Sequence, residues 1–290
     1  MDEKNLNSTP AAEHENAERE KIKGVFSSQE VKKVGTGTTT RKTIQKSFWY
    51  AEEKEDGSIT MQPLNINYVP SGPKHSVTLD NFISTFSPEM EFYIATVFPR
   101  MRELNKTILR AERHRKNGEH FSAEYEFGNA LKVDEENVRA NFGLGLTYLD
   151  RGQTDKANDL FQRIVKLDAA FEQEHKHLFN EFGINLRKNK MHDQSIEYYG
   201  KAINLSNTDE NLFCNMARAC FDAGKYAEAV ENLLKSLEIN PTHEVSVKFL
   251  NWMQDKEFIP STQLAAVQAA LGRGSAPNSG AAPDPAEAKN

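Results

Sequence analysis

The sequence predicts a mainly α-helical repeat solenoid, preceded by a small antiparallel β-containing (α+β) module, with a disordered tail at each end. Three observations carry this. A helix–turn–helix pattern centred on 140–161 recurs at a step of 34 residues. Between Gly24 and about Val69 the apolar spacing shifts from helical toward strand-like, with β-branched and aromatic runs. The two ends are polar or rich in Ala, Pro, Gly and Ser, and can bury too little surface to offset chain entropy.

The stretch ANFGLGLTYLDRG at 140–152, continuing to Leu160 and Phe161, organises the chain. Leu144, Gly145, Tyr148, Gly152, Ala157 and Phe161 fall on one stripe of two consecutive helices. Gly145 is small enough for two helices to cross closely. Gly152 can take the left-handed backbone that ends the first helix. Phe182, Gly183, Leu186, Ser195, Tyr199 and Ala202 fill the same positions. So do Met216, Ala217, Cys220, Gly224, Ala229 and Leu233, and, upstream, Ala111, Gly118, Ala123, Phe127 and Ala130. Four extra residues lie between Phe171 and Lys176, so the step from Gly145 to Gly183 is 38. They predict an extended helix or a wider turn, and a change of curvature.

This pattern resembles the tetratricopeptide repeat, a helix–turn–helix unit of about 34 residues. The resemblance covers about 104–243 and implies repeats at 104–137, 138–171, 176–209 and 210–243, with a capping helix at 244–255 closing a solenoid over 104–258. The family's aromatic at position 4 is matched by Phe179 and Phe213 and replaced by Thr107 and Asn141. Its closing proline is matched only by Pro241, with Glu135, Ala169 and Asn207 elsewhere.

Taken in order, 1–23 reads as a tail and 24–86 as the β-containing module. Segments 38–50 and 59–68 read as strands joined by a turn at Asp56-Gly57, and 25–34 as a third. In the first of these, Thr43, Gln45, Ser47 and Trp49 share one face; Ile44, Lys46, Phe48 and Tyr50 share the other. Neither face is cleanly apolar, which allows cover on both sides. Leu79 to Phe86 reads as a short helix capped by Thr78 or Asp80. Ser87-Pro88-Glu89 reads as the start of a connecting helix over 87–103, kinked or restarted at Pro99. Helix 244–255, with Val247, Leu250, Trp252 and Met253, is expected to cover the last repeat. Segment 259–290 reads as a short helix at about 261–271 and then a disordered tail.

A net charge of -6 gives no electrostatic case for nucleic acid. The longest apolar run falls far short of the roughly 20 residues that cross a membrane. The N-terminus lacks the apolar core of a secretory signal, so a cytoplasmic protein is expected. Cys214 and Cys220 lie roughly 9 Å apart along one helix and are expected to be small buried thiols. Gly35-Thr-Gly37 with Lys42 superficially resembles a phosphate loop, but no glycine precedes the lysine and no helix is expected to follow. His175 and His177 would point to opposite sides of a helix, and His192 alone completes no metal site. No nucleophile sits in an activating motif. We therefore expect no metal, no cofactor and no enzyme activity. The basic run Arg100, Arg102, Lys106, Arg110, Arg113, Arg115 and Lys116, broken by Glu103 and Glu112, reads as a solvated face with ion pairs or as a surface for an anionic partner.

The resemblance implies a concave groove lined by positions 2, 5, 9 and 12 of each first helix. Here these are Arg139, Phe142, Leu146 and Leu149; His177, Asn180, Ile184 and Arg187; and Asn211, Cys214, Arg218 and Phe221, with Arg115 at the N-terminal end. The family's clamp for C-terminal chaperone peptides is not expected, because Ile108, Glu112, Gly143, His177 and Glu181 occupy its positions. The expected function is a non-catalytic adaptor or scaffold whose groove binds a protein or peptide with apolar anchors and acidic groups. Two alternatives stand beside it: a dedicated chaperone for an apolar export or assembly segment, and a ligand sensor or enzyme built on the β module. Homo-oligomerisation is left open, as is occupation of the groove by the chain's own termini.

Overall fold

The computed structural model describes residues 20–34, 41–171 and 175–274. The stretch 35–40, most of the expected terminal tails and three of the four extra residues after Phe171 lie outside them. The chain divides into two compact units, Met1–Phe98 and Pro99–Asn290.

The first unit is a five-stranded antiparallel sheet in the order β4-β3-β2-β1-β5. Its strands are β1 (Lys23–Val34), β2 (Arg41–Glu53), β3 (Ile59–Pro63), β4 (His75–Val77) and β5 (Ser87–Pro88). Helix α1 (Leu79–Thr85) lies between β4 and β5. The β2–β3 turn forms as expected: Asp56 Oδ1 accepts from Ser58 N at 2.9 Å, and Gly57 takes φ 79°. Strand β3 is shorter than expected. Asn65 Oδ1 accepts from Asn67 N and Val69 N, which closes a tight loop where the strand was expected to continue.

Both faces of the sheet are covered, as the mixed faces of β2 allowed. Trp49, Ala51, Ile59 and Met61 pack with Phe82 and Phe86, on and just after α1. On the other face, Phe48 meets Phe92 at 4.8 Å and Tyr50 meets Tyr93 at 6.2 Å between ring centroids. Ser87-Pro88 does not start a helix. It pairs as an edge strand with Ser27 and Phe26, a place proline tolerates because an edge strand can leave an amide unused. The helix begins only at α2 (Met90–Phe92), with Glu89 anchored by its amide to Val25 O. A π-helical turn at Tyr93–Val97 then leads into α3 (Phe98–Lys116). That wide turn is how the chain accommodates Pro99, which has no amide to donate.

The second unit is a run of helix pairs: α3 with α4 (His120–Val133), α5 (Val138–Asp150) with α6 (Thr154–Ile164), α7 (Lys176–Lys188) with α8 (His192–Leu205), and α9 (Glu210–Asp222) with α10 (Tyr226–Ile239). A further pair follows, α11 (Glu244–Asp255) with α12 (Leu264–Gly274). Each pair turns at a residue with positive φ: Gly118, Gly152, Lys190, Gly224 and Glu257. The same two amide bonds close all of these turns; in the second pair Gly152 N donates to Leu149 O and Gln153 N to Tyr148 O.

The small positions do what their size demands. A Cβ on Gly145 would come within 2.7 Å of the Phe182 ring, and one on Gly183 within 2.6 Å of Tyr199. The extra residues before Lys176 accompany an early end to α6, which has 11 residues where α4, α8 and α10 have 14. A 3-10 turn at Asp168–Phe171 follows, so the result is a wider connection and not a longer helix. Helix α7 then packs on α5 through an aromatic core. Phe142 lies 5.5 Å from Phe182, and Phe179 stacks on Tyr198 at 4.8 Å.

Asn141, where the family has an aromatic, is fully buried and donates to Glu135 O and Asn137 O, so an amide ties down the preceding turn. Cys214 and Cys220 are free and buried, and burial pushes the Cys220 thiol up to about 11. Residues Ser236, His243 and Ser246 join α10 to the start of α11, with Ser236 Oγ 2.8 Å from Ser246 Oγ and donating to Glu210 O.

Candidate functional site

The residues expected to line one continuous groove separate into three groups. Phe142, Leu146 and Leu149 are buried in the core with Phe161, Phe182 and Tyr198, and Cys214 is buried beside Ala217 and Leu233. They offer no surface to a partner. Phe182 inserts over Gly145, and the wide connection before Lys176 accompanies close packing of α7 on α5.

The second group is engaged by the chain itself. Arg139 makes a two-pronged ion pair with Glu112, both oxygens at 2.9 Å, and donates to Asn105 Oδ1. Arg115 bridges Asp150 at 3.1 Å and Glu181 at 2.6 Å, tying α3 to α5 and α7. These carboxylates hold the Arg115 guanidinium above its ordinary range against the opposing effect of burial. His177 and Asn211 are exposed, and Asn211 bonds its neighbour Asp209. Asn180 and Ile184 are half-buried.

The third group forms an open cleft. Arg187, Arg218 and Phe221 line it together with Asp222, Val245, Lys248, Phe249 and Trp252, around a volume of about 550 Å³. All are on α7, α9 and α11, the first helices of three successive pairs. Phe221 centres its floor, 5.5 Å from Phe249 and 5.3 Å from Trp252. Trp252 stays 42 % exposed and Val245 41 %, although Leu250 and Met253 on the same helix are buried. Arg187 pairs with Asp222 at 2.5 Å, and Lys248 pairs with Glu244 along the exposed side of α11. Arg218 has no hydrogen-bond or ion-pair partner among the described residues.

Sequence reasoning missed the α11 side of this cleft because that helix was read only as a cap. Continuing the 34-residue count from Glu244 makes Val245, Lys248 and Trp252 positions 2, 5 and 9 of a fifth first helix. That signal was available. Among the described residues, no group of three or more His, Cys, Asp or Glu could hold a metal ion, and no helix is long and apolar enough to cross a membrane.

Stacked helix pairs whose first helices share a cleft define a helical-repeat protein. Two family models described as tetratricopeptide repeat match residues 138–171 and 211–243. The chain therefore carries tetratricopeptide repeats in these two segments. It is 26 % identical over 208 residues to a peroxisomal targeting signal receptor of Candida albicans, spanning 69 % of this chain and 32 % of the relative. It is 23 % identical over 147 residues to a TPR repeat-containing protein of Methanocaldococcus jannaschii, spanning 49 % and 26 %. The chain thus matches a third or less of these relatives' own lengths. A solved structure of MamA from Desulfovibrio magneticus is 13 % identical, covering 59 % of this chain and 90 % of that one with a TM-score of 0.42.

Proposed function

We propose that the chain is a non-catalytic adaptor that binds a peptide segment of a partner protein in the cleft between α7, α9 and α11. The observation that carries this reading is the cleft itself: an aromatic floor of Phe221, Phe249 and Trp252 under a rim of Arg187, Arg218 and Lys248. Aromatic floors supply apolar contact, and guanidiniums supply directed hydrogen bonds to a backbone or side chain. The eight lining side chains are cations, one aspartate, a valine and aromatics, a set that binds and does not activate a nucleophile. The reading places the binding function on the second unit and uses Arg187, Arg218 and Phe221 of the expected groove. A relative named a peroxisomal targeting signal receptor is consistent with it. A holder of purely apolar segments fits less well, because Arg218 at the rim would be desolvated without compensation. The cell compartment we propose is the cytoplasm.

The test is site-specific photo-crosslinking in native extract, with a benzophenone side chain at Val245 and, as a control, at Tyr125 on α4 away from the cleft. The expected result is one discrete partner segment crosslinked from Val245 and not from Tyr125, competed by excess unmodified chain. Equal crosslinking from both positions, or none from Val245, overturns the reading.

A further inference from the structure

We infer that the segment entering this cleft is acidic, with a side-chain carboxylate seated on Arg187 and Arg218 and an apolar neighbour on Phe221 and Trp252. The inference rests on the peptide-binding reading above and adds the chemistry of the ligand.

An internal repetition carries it. Arg115 is the twelfth residue of its repeat and Arg187 the twelfth of its own. Each pairs with the aspartate 35 residues further on, Arg115 with Asp150 and Arg187 with Asp222. Arg115 also holds a second carboxylate, that of Glu181, at 2.6 Å. Glu181 is the sixth residue of the repeat two further along. Counted in the same way from Arg187, the corresponding residue is Phe249. Among the described residues, two carboxylates therefore reach Arg115 and only one reaches Arg187. Where Glu181 approaches Arg115, the second half of the solenoid instead has a cleft. The first half shows what the second half lacks.

The local charge agrees. Arg187, Arg218 and Lys248 face the cleft against Asp222 alone, in a chain whose net charge is -6. Lys248 is drawn off toward Glu244 along the solvent side of its helix, which leaves Arg218 as the cation there with no partner among the described residues. Guanidinium forks bind carboxylates in a directed way, and a partly dry aromatic floor strengthens such a bond. A neutral ligand would leave Arg218 half-buried with its donors unmatched.

The test uses the full chain on an array of random twelve-residue peptides, acetylated and amidated so that no terminal charge contributes. Fluorescence anisotropy then compares bound peptides with Glu→Gln counterparts. We expect the bound set to be enriched in Asp or Glu beside Phe, Leu or Trp. The Glu peptide should bind about tenfold more tightly than its Gln counterpart, as a charge-assisted bond of this kind predicts. In the Arg218→Gln protein, matched to wild type by circular dichroism, that preference should fall to about twofold or less. Arg110→Gln, on the first repeat, should leave it unchanged. Peptides bound with no acid preference but lost in Trp252→Ala overturn this inference and leave the peptide-binding reading standing. An acid preference that survives Arg218→Gln also overturns it. A silent array overturns both readings, including the case in which wild type self-associates through the cleft and Trp252→Ala disperses it.

Discussion

At the scale of single residues, the first unit depends on a carboxylate whose partners come from other strands. The Lys46 ammonium, at 2.5 Å, and then the Ser27 hydroxyl, at 2.8 Å, hold the Glu89 carboxyl below its ordinary range. A group with a depressed folded pKa stabilises above its unfolded value, about 4.3, and that stabilisation is lost as pH falls through the folded value. Glu89→Gln should therefore make the N-terminal unit less stable at neutral pH and flatten its loss of stability between about pH 5 and 3. Trp49 fluorescence, in a chain carrying Trp252→Phe, reads this directly. An unchanged acid profile would show that the bonds from Lys46 and Ser27 to Glu89 contribute nothing to stability. None of this was legible in the sequence, where Glu89 read as the first-turn acid of a helix. Its bond to Ser27 spans 62 residues and exists only because β5 closes the sheet beside β1.

At the scale of elements, the turn between paired helices was legible and its exceptions are informative. Gly118, Gly152 and Gly224 take positive φ without steric cost, and Lys190 and Glu257 take φ of 62° and 58° in the same turn. A side chain there costs roughly 1 kcal/mol relative to glycine. Lys190→Gly should therefore raise the stability of the second unit by up to about 1 kcal/mol, measured by urea unfolding at constant m-value. A loss of stability would mean that the Lys190 side chain makes a compensating contact. The last helix pair was half legible. The apolar positions Leu250 and Met253 marked α11 as covering α10, and they are buried. The opposite face of α11, with Val245 and Trp252, acquires meaning only when the repeat count is carried past Pro241.

At the scale of the whole molecule, one cation, Arg115, links three successive repeats. Its guanidinium, 17 % exposed, joins the first repeat to Asp150 in the second and Glu181 in the third. Arg115→Ala removes the cation shared by those carboxylates and should destabilise the second unit by about 1–3 kcal/mol. Arg110→Ala, which removes more exposed pairs with Glu126 and Glu103, should cost clearly less, because solvent screens them. Urea unfolding followed by Trp252, in a Trp49→Phe chain, compares the two. Equal losses would show that Arg115 ties nothing together. By itself, the sequence determined the helix pairs, their 34-residue step, the small residues at the crossings and a separate β-containing module. Those features follow from local spacing and residue size, which any window of the chain reveals. Only the tertiary structure decided which groove positions reach solvent. Phe142 and Leu146 occupy the same register positions as Cys214 and Arg218, yet three of these are buried and only Arg218 lines a cleft. Exposure on a solenoid's inner face depends on how closely the first helices of successive repeats approach. Phe182 fills the space over Gly145, whereas α7, α9 and α11 leave an open cleft lined by Arg187, Arg218, Phe221 and Trp252. That distance is set by packing between distant segments, and no local pattern of residues encodes it.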